Sequence, residues 1–86
     1  MVYLYNNLLH LYMSGLTRLG EYFEEKSINK ASIARKTGLG KNRLTAITTS
    51  GTARLTAEEL YLIALAIGAN PSELLEYVCG HVRLPK

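Results

Sequence analysis

Seven cations, Lys26, Lys30, Arg35, Lys36, Lys41, Arg43 and Arg54, fall between Glu25 and Glu58, and no acid falls among them. An uncompensated basic run can neutralise phosphates and release their condensed counterions, and it can equally be a solvated face. Charge alone leaves both readings open, and the net charge of +3 adds little. Other chemistries are excluded more firmly. No set of nucleophile, base and orienting residue can be assembled, nor paired carboxylates in a helical cleft, nor a phosphate-cradling glycine loop, so an enzyme is not expected. Cys79 is the single cysteine, which excludes an intrachain disulfide, and His10 and His81 belong to no set at metal-binding spacing. Neither a metal nor a cofactor is implied.

The elements that must present these cations follow from apolar spacing. At 86 residues the chain is expected to form a single domain, residues 1–86. Leu16, Leu19, Tyr22 and Phe23 recur at helical spacing and predict a first helix ending near Lys26. Ile28 points inward from a short polar connection, and Asn29 is suited to cap a second helix from Lys30, with Ala31, Ile33 and Ala34 as its buried stripe. Gly38 stops that helix, Leu39 is a lone apolar residue in the turn, and Gly40 takes the N-cap of a third helix over residues 41–49. The inward positions there are Leu44 and Ile47. Thr56 and Glu59 have capping-box spacing and open a fourth helix with Leu60, Ile63, Ala64 and Ile67 inward. Gly68 closes it, and Asn70 with Pro71 starts a fifth carrying Leu74, Leu75 and Val78 inward.

The expected architecture is all-α, with five helices in a core at residues 14–79 and an apolar, helix-patterned extension at residues 1–13. The extension carries Leu4, Leu8 and Leu11 on one helical face and Tyr5, Leu9 and Tyr12 on a neighbouring one. It lacks the basic leading region of a signal peptide and falls short of the ~20 residues that span a bilayer. No membrane association is expected, and the cytoplasm is the default compartment.

Residues 30–49 have the layout of a helix-turn-helix: short helix, glycine turn, second helix. Ile33, Ala34, Gly38, Leu39, Leu44 and Ile47 make its core, with Ala34 small where two helices cross steeply. Together with the Leu-Tyr-Leu-Ile-Ala-Leu-Ala-Ile-Gly-Ala-Asn-Pro-Ser-Glu-Leu-Leu run at residues 60–75, this stretch resembles the lambda repressor, Cro and Xre-like regulators over residues 16–75. The departures are Lys30 where the family often has Gln, Gly40 in place of Ser or Thr, no acid near Thr48 and no proline near Leu55.

The resemblance implies a third helix in the major groove of double-stranded DNA. Lys41 then faces guanine, Asn42 adenine, and Thr45 or Ala46 a thymine methyl. Lys30, Lys36, Arg43 and Arg54 are expected on phosphates. A dimeric transcriptional regulator, most simply a repressor, is the leading expectation, with Leu4, Tyr5, Leu8, Leu9 and Tyr12 as candidate dimer contacts. Two alternatives are an antitoxin that represses its own operon while gripping a toxin, and a protein-interaction module that binds no DNA.

Overall fold

A computed structural model describes residues 15–85. Those residues form five helices and no strand: α1 (Arg18–Glu25), α2 (Lys30–Thr37), α3 (Lys41–Thr49), α4 (Ala57–Ile67) and α5 (Pro71–Cys79). The expected five-helix core is what the chain adopts. The candidate contacts Leu4, Tyr5, Leu8, Leu9 and Tyr12 lie outside the described residues.

Most helix boundaries are set by local chemistry. The Asn29 side chain accepts from the Ser32 backbone N–H, and Asn70 accepts from Ser72 and Glu73, so first-turn donors that lack a partner within the helix are satisfied. Thr56 and Glu59 form the full capping box, and Gly38 and Gly68 end α2 and α4 in the left-handed conformation. At the start of α1 the expectation is corrected. Thr17 is the N-cap, its hydroxyl accepting from Gly20 N–H, so the helix begins at Arg18 and Leu16 precedes it.

Leu19, Phe23, Ile33, Leu44, Ile47, Leu60, Ile63, Ala64 and Leu74 form one buried cluster, with Ile28, Leu39, Ile67 and Val78 packed against it. α1 lies against α3 and α5, α2 against α3 and α4, and α4 against α5, so α3 is held between the first two helices. Two expected core residues are not in it. Ala31 is exposed because Ile33 and the half-buried Ala34 carry the inward face of α2, and Leu75 is 51% exposed beside the fully buried Leu74.

The tightest backbone approach at a glycine is between α1 and α3, where a Cβ on Gly20 would collide with the Thr48 carbonyl. The same junction is hydrogen-bonded: Thr17 N–H donates to Thr48 O at 3.0 Å, and the Thr17 hydroxyl donates to Ile47 O at 2.7 Å. These two carbonyls belong to the last turn of α3 and have no partner within their own helix. In an unobstructed helix Gly→Ala stabilises by ~1 kcal/mol, but overpacking costs about 1–3 kcal/mol. With the added Cβ meeting backbone that cannot yield cheaply, Gly20→Ala is therefore expected to lower unfolding free energy by up to about 2 kcal/mol net in urea titration; an unchanged or raised midpoint would show that the two helices separate freely.

Candidate nucleic-acid interface

α3 begins at a residue that only glycine fills without strain. Gly40 has φ 81° and ψ 151°, and it offers no side-chain cap to the first turn. A serine or threonine here would provide a hydroxyl cap at the cost of an unfavourable backbone, which accounts physically for glycine at this position.

From that start, Lys41, Asn42, Thr45 and Thr49 are exposed, while Leu44, Ile47 and Thr48 are buried. Lys41, Thr45 and Thr49 are spaced four residues apart and so share one outward stripe, with Asn42 beside it. Neither the Lys41 nor the Asn42 side chain has a hydrogen-bond or ion-pair partner among the described residues, so their donors are free for an external acceptor. The Thr45 hydroxyl donates to Lys41 O at 3.0 Å and that of Thr49 to Thr45 O at 2.6 Å. With the hydroxyl protons turned back into the helix, these threonines present methyl groups and oxygen lone pairs outward. Ala46, expected beside them, is half-buried and offers less surface.

The cations divide into two groups. Lys30, in the first turn of α2, is half-buried, and Lys36 and Arg54 are exposed; none has an ionic partner among the described residues. Arg43, for which a phosphate was expected, is engaged by protein groups instead. Its Nε donates to Glu59 Oε2 at 2.6 Å, and its Nη2 donates both to Glu59 Oε1 at 2.8 Å and to the Arg54 carbonyl at 2.6 Å. The Glu59 Oε1 also accepts the Thr56 N–H of the capping box. Glu59 is legible in sequence only as a capping residue, because nothing local links it to a residue sixteen positions earlier.

Thr17, Gly20, Thr48 and Thr49 were likewise absent from the sequence-derived site. Of these, Thr49 has a readable signal, lying four residues beyond Thr45 on the same stripe. Thr48 is fully buried, its hydroxyl donating to Leu44 O at 2.7 Å, which satisfies the one buried polar side chain among the described residues. Those residues contain no cluster of metal-ligating side chains and no helix long and apolar enough to cross a membrane.

Residues 18–80 match the family model of the Cro/C1-type HTH DNA-binding domain, which covers all five helices. No curated protein and no solved structure matches the chain significantly.

The Arg43 hydrogen bonds, chiefly, hold the Glu59 carboxyl down from its ordinary 4.5 to about 2, against the opposing effect of burial. A carboxyl depressed in the folded state adds stability that is complete above pH 4.5 and is lost as pH falls toward 2. Unfolding free energy measured by urea titration across that range should fall more steeply for the wild type than for Glu59→Gln. Parallel curves would mean that the ion pair does not persist in solution.

Proposed function

Because the chain belongs to the Cro/C1-type helix-turn-helix DNA-binding family, we propose that it is a sequence-specific transcriptional regulator, acting as a repressor in the cytoplasm. It binds a two-fold operator as a homodimer, with α3 of each copy in successive major grooves. The observation that carries this reading is the outward stripe of α3. The Lys41 and Asn42 side chains are exposed, without a partner among the described residues and remote in sequence from any acid, on a helix whose two ends are both bonded to the scaffold.

The roles follow from donor chemistry. Lys41 donates to guanine O6 and N7, Asn42 makes a bidentate pair with adenine, and the Thr45 methyl meets a thymine methyl, with Ala46 at the margin. Lys30, Lys36 and Arg54 neutralise phosphates and set register without reading sequence. Dimerisation adds the affinity and discrimination that one helix in one groove lacks.

A second reading is an antitoxin that represses its own operon. What favours it is apolar area available to a protein partner: Tyr61 and Leu65 on α4 are 54% and 58% exposed, and Leu75 lies on the adjoining helix. Such area also suits a second copy of this chain. An apolar patch does not distinguish the two, whereas co-expression that yields a stable complex with an unrelated small protein would favour the antitoxin.

Selection from a random duplex library tests the main reading. The wild type should enrich a two-fold motif with half-sites about one helical turn apart, and Lys41→Ala/Asn42→Ala should lose it. Failure to enrich, or an unchanged motif in the double variant, would remove α3 from the reading role. Lys30→Ala should weaken binding to all duplexes alike and reduce the slope of log affinity against log salt by about 0.9, the contribution of one phosphate. A loss confined to one sequence would instead make Lys30 a base contact.

A further inference from the structure

We propose that Arg43 is a positioning residue: through Glu59 and the Arg54 carbonyl it sets the angle at which Lys41 and Asn42 meet the bases, and it is not a phosphate contact. The inference rests on the DNA-binding reading of α3.

One guanidinium joins three stretches of chain. It leaves from the first turn of α3, takes both carboxylate oxygens of Glu59 in α4, and holds the backbone of the intervening loop at Arg54. Glu59 itself accepts from the Thr56 backbone N–H and donates its own N–H to the Thr56 hydroxyl, so the anchor is tied to a helix N-terminus. No other side chain performs this task. Gly40 supplies no side-chain cap, and the Lys41 and Asn42 side chains bond to nothing among the described residues. Without Arg43, the outer side of the α3 N-terminal turn has no polar tie to the scaffold.

The charge arithmetic points the same way. Two of the three guanidinium nitrogens are committed, and the positive charge is matched by a carboxylate at 2.6 Å. A phosphate approaching Arg43 therefore meets a neutralised pair and releases few counterions. With side-chain exposures of 34% and 14%, the pair is open enough to water to be a weak source of stability, but its forked geometry is specific to arginine. Such an interaction directs orientation more than it strengthens the fold. Arg54 gains a second function here, since the residue that offers a free cation to the duplex also has its backbone fixed by Arg43.

The test compares affinities for the selected operator and for a random duplex over a salt series, with folded concentration set by circular dichroism. The variants are Glu59→Gln, Arg43→Lys and the double Arg43→Gln/Glu59→Gln, which keeps the wild-type net charge. Expected are a roughly tenfold fall in the operator-to-random ratio in each, and a salt slope in the double variant equal to that of the wild type. Glu59→Gln removes no cation, so a phosphate role for Arg43 predicts no loss of discrimination from it. That result, or a drop of about 0.9 in the slope of the double variant, would overturn the proposal. A loss of stability with an unchanged ratio in the folded fraction would overturn it too. A wild type that does not prefer its operator overturns the regulator reading itself, a failure visible before any variant is measured.

Discussion

The seating of α3 on α1 is the constraint on which the rest of the structure depends. A helix that must expose one whole face to a ligand can be gripped only from behind and at its ends. Here the grip at the C-terminal end consists of two hydrogen bonds from Thr17 to the Ile47 and Thr48 carbonyls. They are possible because Gly20 lets the two backbones approach without an intervening side chain. Thr17 also caps α1, so the residue that starts one helix finishes another. Leu44, Ile47 and Thr48 are buried on the inner side of α3, and the Thr48 hydroxyl is satisfied within that helix.

The N-terminal end of α3 is organised on a different principle. Close backbone contact gives way to a charged fork, Arg43 on Glu59, reaching across from the helix that follows. Between these ends, the core contacts of Leu44 and Ile47 fix rotation about the helix axis. Rotation, depth and tilt are thus each set by different residues, and none of these residues lies on the exposed stripe. The charge distribution is consistent with this division. Glu59 is paired with Arg43, and the side chains of Lys41, Lys30, Lys36 and Arg54 have no ionic partner among the described residues.

The features legible in the sequence are those written within a few neighbouring residues. Asn29, Thr56 and Asn70 were readable as caps because a cap and its helix are contiguous, and the bounds of α2 and α3 were readable from the apolar period and the two glycines between them. Residues that meet across the fold were not. Gly20 with Thr48, and Arg43 with Glu59, are pairs whose members leave no mark on each other's local pattern. Gly20 lies inside a helix where a glycine only weakens propensity, and its purpose is visible only once another backbone stands against it. The exposed Leu75 reflects the same limit: periodicity assigns it to an apolar face, but only the neighbouring helices determine how much of that face is covered.

The threonines of α3 carry a consequence for solvent. Because Thr45 and Thr49 direct their protons to carbonyls of the preceding turn, the outward stripe is less hydrophilic than its composition implies. Water there finds oxygen lone pairs but no hydroxyl donors, and it is held by fewer bonds than serines or asparagines at these sites would provide. Stripping such loosely held water from a surface costs little enthalpy and returns entropy to the bulk. The threonine part of the stripe is therefore easier to strip of water than the neighbouring Lys41 and Asn42 side chains. A surface of that kind adds shape and methyl contact at the threonines to the polar contacts that Lys41 and Asn42 are placed to make.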